Sequence, residues 1–390
     1  MTTELTDDTG QVGAKGRRAR RAQRRRSAPP PVQYYGLAVI IAILVGLGLV
    51  MVLSASSVMS LHTDGSPWTY FFKQFVWAVL GVVALLVMLK IPYHVWRPLV
   101  PLALFGSFVL MVAVLVPGIG VAVNGSRAWI HLGYFAVQPS ELLKLTLLLY
   151  CADLLARRAD RMNEPRATLY PTLVVLGVSG VLLMLQPDLG GALVMAAIVL
   201  GVAFIAGTPI IPLGLTAGAA SLFGLVFIMS ATYRRERWLA FLNLAQHKQD
   251  AGFQVWQSLI GVASGGLTGV GLGASKLKWG FLPEAHTDFI FAIIAEELGF
   301  LGVVAVCGLF CAFGLLGVQV ALRAQDRFGM LLAGGVTAWV LTQALINIGC
   351  VVGLMPLTGL TLPFVSFGGS SLLVMMAAGG LLLNVARTAR

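Results

Sequence analysis

Ten stretches of this chain are apolar over roughly the length a helix needs to cross a bilayer, and they limit the fold more than any other feature. They are residues 34–53, 68–89, 98–117, 140–156, 169–185, 191–207, 210–231, 288–322, 328–352 and 369–385. A span takes roughly 20 predominantly apolar residues. Inside hydrocarbon every backbone N–H and C=O must be paired within the protein, which makes helices of such runs. Charged residues are 11% of the chain, against about 25% in soluble domains, so a water-soluble enzyme is excluded. The expected fold is an all-α polytopic membrane protein with ten transmembrane helices and a large extracellular loop, residues 232–287, between helices seven and eight.

An even number of spans puts both termini on one side, and basic residues mark that side as cytoplasmic. Eight of the 27 Lys and Arg residues fall between Lys15 and Arg26, and 18 of the 27 lie on the assigned inner segments. Residues 1–33 read as a disordered basic cytoplasmic tail, 34–387 as the membrane domain and 388–390 as a cytoplasmic C-terminus. The first span is too long for a signal peptide and has no small-residue cleavage site after it, so it reads as a retained anchor. A basic run directly before a span points to anionic lipid rather than nucleic acid, since no nucleic-acid module accompanies it. The expected location is a membrane crossed many times, with both termini on its cytoplasmic side.

The external stretch 232–287 carries six basic and three acidic residues. Loops longer than about 12–15 residues without structure of their own are usually functional or disordered. This one contains Phe253, Val255, Trp256, Leu259, Ile260 and Val262, the pattern of an amphipathic or re-entrant segment. Its positive charge suits an anionic ligand such as a lipid-linked phosphate, or outer-leaflet headgroups, with Arg234, Lys276 and Lys278 as candidates. Gly265, Gly266, Gly269, Gly271 and Gly273 form a turn region whose backbone could approach phosphates.

Ionisable groups inside spans are costly and mark functional sites by default. Glu141 and Lys144 are three apart on one helical face, either a structural ion pair or part of a site. Glu296 and Glu297 are adjacent, so a helix would point them in different directions. Asp153 is placed to cap or to pair with Arg157. The densest polar cluster is FLPEAHTDFIF, from Phe281. Thr287 or Asp288 could cap the helix that begins there; equally, a boundary carboxylate beside Glu284 and His286 suits general-base work. The four cysteines sit in apolar stretches without metal-ligand spacing, and no dedicated metal, triad or nucleotide motif is present.

Four long motifs occur in order: SRAWIHLGYFAVQPSELLKL from Ser126, QPDLGGALV from Gln186, LPEAHTDFIFAIIAEELGFLG from Leu282 and GLMPLTGLTLPFVSFGGSSLL from Gly353. Through them residues 34–387 resemble the SEDS (shape, elongation, division and sporulation) family, its division members more than its elongation members. The resemblance implies a peptidoglycan glycosyltransferase that polymerises lipid II at the outer face of the bacterial cytoplasmic membrane and releases undecaprenyl pyrophosphate. It also implies a class B penicillin-binding transpeptidase and other division-complex membrane proteins as partners, at the septum. The family's catalytic carboxylate falls on Asp288, its intramembrane pair on Glu141 and Lys144, and its loop arginine on Arg127. His286, Glu284 and Ser370 lie in the same motifs and count as supporting candidates. Departures from the usual pattern are Gly191, Ala274, Phe367 and the proline-free stretch after Asn243. A divalent cation could assist the leaving group, although no ligand set for one is evident. Two rival readings remain: a lipid II transporter, and a scaffold that only recruits the transpeptidase.

Overall fold

The computed structural model describes residues 29–123, 125–133 and 135–389. The basic run that reads as a cytoplasmic tail, and Arg390, lie outside the described residues. The helices are α1 (Val32–Asp64), α2 (Thr69–Lys90), α3 (Val100–Ala113), α4 (Pro139–Arg157), α5 (Leu169–Leu185) and α6 (Leu189–Ile205). They continue with α7 (Ile210–Met229), α8 (Thr232–Leu242), α9 (Phe253–Ser264), α10 (Ile290–Leu322), α11 (Arg327–Val351) and α12 (Gly369–Thr388). Each of the ten apolar stretches coincides with a helix. Among the described residues seven helices are long and apolar enough to span a membrane, α3 being counted with the 3-10 turn Tyr93–Leu99 before it. The remaining three differ for visible reasons. α5 and α6 are apolar but have 17 residues each, and α4 carries Glu141, Lys144, Asp153 and Arg157.

The chain is not all-α. Between α3 and α4 runs a three-stranded antiparallel sheet, β1 (Gly120–Val123), β2 (Ser126–Leu132) and β3 (Phe135–Val137), in that order. Val121 faces Trp129 across β1–β2, and Ile130 faces Val137 across β2–β3. Left-handed Gly125 and Gly133 sit in the two turns, where residues with a Cβ are disfavoured.

Helices α4, α11 and α12 form the interior, with α6 against α4 and α11, and α2 along α12. Buried amides tie them together. Asn384 donates to the carbonyls of Met88 (2.7 Å) and Leu89 (3.1 Å), and Gln74 to that of Ser366 (3.1 Å). Apolar helices gain no hydrophobic drive from one another in lipid, so such bonds and close packing of small residues hold a bundle. α7 stands apart: none of its residues is buried.

The stretch 232–287 is ordered around two helices and a 3-10 turn, Leu277–Trp279. α9 buries Val255, Ser258 and Gly261, and the Ser258 hydroxyl donates to the Val351 carbonyl at 2.7 Å. α10 is interrupted at Gly299 (φ 67°, ψ −162°). A Cβ there would lie 2.2 Å from the Gly269 nitrogen, so glycine is required. The glycine-rich turn fills the break: Phe300 N–H donates to Gly266 O (2.8 Å), and Val270 N–H to Glu296 O (3.0 Å). That backbone is therefore spent on the helix rather than offered to a phosphate.

Candidate active site

Asp288 lies in the turn that leads into α10 and is partly buried. The helix begins beyond it, at Ile290, with Phe289 in the capping position and no side-chain cap. Neither Thr287 nor Asp288 caps this helix. The turn is fixed from α11, where the Asn347 amide donates to the carbonyls of Asp288 (2.7 Å) and Leu360 (2.6 Å). Asp288 Oδ2 rests 3.4 Å from where a Cβ on Gly359 (φ 72°) would stand.

Burial, then the neighbouring Glu284 charge, push the Asp288 carboxyl up to about 7; Arg237 opposes them. A base poised near the operating pH combines a useful deprotonated fraction with useful proton affinity. Glu284 holds a left-handed backbone (φ 54°), and its carboxylate accepts from the Thr287 hydroxyl at 3.2 Å. His286 is buried against Tyr70 and Phe367, ring centroids 4.9 and 5.4 Å away, and its carbonyl accepts from Phe367 N–H (3.0 Å). Burial lowers its pKa, so it serves as a neutral wall beside the carboxylates.

A second group of charges stands nearby. Lys144 Nζ donates to Glu141 Oε1 at 2.7 Å, and both side chains are buried. Glu141 Oε2 has no hydrogen-bond partner among the described residues. Asp188 caps α6 by accepting from Gly191 N–H (2.7 Å). Burial raises its pKa, while Lys144 lowers it. Gly190, two residues beyond Asp188, packs against Thr358 O, as Asp288 does against Gly359. The charge of Asp188 is felt by Asp288, and Asp188 feels Lys144 and Glu141, a position between the two groups that the sequence reading did not single out although QPDLGG displays the residue.

The remaining candidates separate. Arg234 is occupied at the end of α7: its Nε donates to Phe227 O (3.1 Å), and its guanidinium covers the Phe227 ring. Arg237, one helical turn on, lines a small cavity with Phe241, Val255, Met355 and Leu357 and acts on Asp288. Lys278 is buried, donates to Gly273 O and lies 3.8 Å from Glu297, so it is not a substrate-facing cation; Lys276 is exposed. Glu296 and Glu297 both turn to the same loop. Glu296 accepts from Lys276 N–H (3.0 Å) and the Ser275 hydroxyl, and Glu297 from the Ser54 hydroxyl (2.6 Å) and Ser275 N–H (3.3 Å). Arg127, on β2, donates to Leu115 O at 3.4 Å. Ser370 Oγ accepts from Gln138 N–H (3.0 Å), joining α12 to the start of α4. Asp153 pairs with Arg97 (2.6 Å) and Arg157 (2.8 Å) at the other end of the bundle. No group of three His, Cys, Asp or Glu suited to a metal ion occurs among the described residues.

Residues 35–390 match the family model FtsW/RodA/SpoVE, described as cell cycle protein. Stage V sporulation protein E of Bacillus subtilis is 41% identical over 357 residues, 91% of this chain and 97% of that protein. A probable peptidoglycan glycosyltransferase FtsW of Geobacter metallireducens is 40% identical over 357 residues, 91% and 95% of the two chains. Among solved structures, a chain from a peptidoglycan synthase complex that coordinates polymerization and crosslinking aligns with TM-score 0.73. It is 31% identical and covers 90% of this chain and 97% of that one. The rod shape determining protein RodA of Thermus thermophilus aligns at TM-score 0.67 and 31% identity, over 90% and 96%.

Proposed function

This chain belongs to the FtsW/RodA/SpoVE family of cell cycle proteins, the SEDS family, and from that premise we propose that it polymerises lipid II into glycan strands. It is a multi-pass membrane protein with a RodA-like fold. The observation that carries the proposal is the Asp288 carboxylate, poised near neutrality in the turn just before α10 and not spent on capping that helix. Asp288 takes the proton from the acceptor sugar's hydroxyl as that oxygen attacks the anomeric carbon of the lipid-linked donor. The glycosidic bond forms as the bond to the pyrophosphate breaks, so the configuration inverts. Arg237, whose charge reaches Asp288, is the cation offered to offset the pyrophosphate charge, which is often the largest catalytic contribution. Among the described residues no group of three His, Cys, Asp or Glu is placed to hold a divalent cation.

As a base, Asp288 works only when ionised. The rate of polymerisation of fluorescent lipid II should therefore climb as pH rises through about 7 and level off above. A flat profile between pH 5.5 and 8.5, with the protein intact, would contradict the assignment. The partner in this reading is a class B transpeptidase, which the likeness to a chain of a complex that coordinates polymerization and crosslinking supports, and the site of work is the septum.

In the proposed topology ten helices cross the bilayer, both termini are cytoplasmic, and residues 232–287 are external. Single cysteines placed at Gln249 and Asn163 test it with a membrane-impermeant thiol reagent. Labelling of Gln249→Cys and not Asn163→Cys in intact cells is expected, and the reverse pattern overturns the topology.

A further inference from the structure

The sheet between α3 and α4 has an unusual surface for a connection between spans. Residues 114–138 contain one arginine, one histidine and no Asp or Glu. Val116, Ile119, Val121, Val123 and Phe135 are 44%, 47%, 36%, 43% and 36% exposed. β1 is an edge strand whose residues Val121, Ala122 and Val123 are all exposed. In water, an edge of exposed valines without a charge invites aggregation and is normally blunted by Lys, Glu or Pro. Here none of those residues lies within the strand.

Two observations say what covers this surface. It follows directly in the chain on α3, an apolar helix whose Leu102, Phe105, Val109 and Val112 are 69%, 66%, 50% and 52% exposed, as residues facing lipid would be. Its height is fixed as well: the Ser126 hydroxyl donates to Gln186 O just beyond α5, and β3 runs within two residues into α4. The sheet therefore lies where three helices end, at the Asp288 end of the bundle. Trp129, opposite Val121, has the amphipathic ring found at that depth. Arg127 can keep its stem in apolar surroundings while its head reaches the headgroups.

We propose that β1–β3 is an interfacial membrane anchor, seated at the headgroup–acyl boundary with its exposed valines, Ile119 and Phe135 in lipid. The occupant is the phospholipid leaflet rather than a protein. Contact with lipid would hold the start of α4, and with it Glu141, at a set depth.

Nitroxide labels at Val121→Cys and Val123→Cys, in a Cys307→Ala/Cys311→Ala background, test this in phosphatidylcholine–phosphatidylglycerol nanodiscs. Phe105→Cys supplies the lipid reference and exposed Gln249→Cys the aqueous one. The hairpin labels should relax with dissolved oxygen as at Phe105→Cys and lose most of the relaxation that a water-soluble nickel chelate gives at Gln249→Cys. Nickel accessibility equal to that of Gln249→Cys overturns the anchor. Shielding from both reagents would mean a protein occupant and overturns it too.

Discussion

Asp288→Asn should insert normally and bind its transpeptidase, yet make no measurable glycan from lipid II. Asparagine keeps the size and the polar atoms but accepts no proton, and general-base catalysis typically contributes 10²–10⁴-fold. Stability should move the other way. The folded carboxyl has a pKa raised to about 7 from an ordinary value of 3.8, so the folded state binds more protons than the unfolded one between those values. Stability from this group is therefore lost as pH rises through that window. Above pH 7 the neutral variant should melt at or above the wild type, the sign expected where a site trades stability for activity. Asp288→Glu keeps the charge but moves it by one methylene. A misplacement of about 1 Å can cost 10²-fold, so this variant should fall between the two. An inactive Asp288→Asn that also melts lower at pH 8 would point to a structural carboxylate instead.

The second large effect concerns Lys144. Its ammonium is buried beside Glu141 and acts on Asp188, so Lys144→Ala leaves two carboxylates without their common cation. Breaking a buried pair by removing one partner costs about 3–5 kcal/mol, because the other charge is left uncompensated. Lys144→Ala should be the most damaging single change in this group, and adding Glu141→Ala should restore part of the lost thermal stability. Glu141→Ala alone leaves Lys144 with Asp188 nearby and should be milder. Strictly additive losses in the double variant would show that the side chains do not interact.

Particular residues show what the sequence could reveal. The helices were legible because a bilayer permits few other structures, and the run lengths alone place them. The sheet was not: its strands have three to seven residues, too few for alternation to stand out between glycine turns. Asp288 stands out as a candidate from the crowding of polar residues at a boundary. Whether it capped the helix was a question of one residue in register, and helix ends are the least secure feature of any sequence reading. Arg237 was hidden among Arg234, Arg235 and Glu236 until the helix turned Arg237 toward the cavity and Arg234 back to α7. Lys278 misled because its partner Glu297 lies 19 positions away on α10 and only the folded loop brings them together. Glu296 and Glu297 diverge on an ideal helix; the break at Gly299 lets one loop wrap both.

The central claim is that this chain itself makes the glycosidic bond. The most direct measurement uses the purified full chain in detergent with fluorescent lipid II and the transpeptidase, but no other glycosyltransferase. Products are then separated by length. Detergent micelles have no two sides, so a transporter has nothing to accomplish there and a scaffold nothing to recruit. A ladder of glycan strands that vanishes with Asp288→Asn is the result expected. Unreacted lipid II from intact wild-type protein, together with movement of the same lipid across liposome membranes, would contradict the account and establish transport instead.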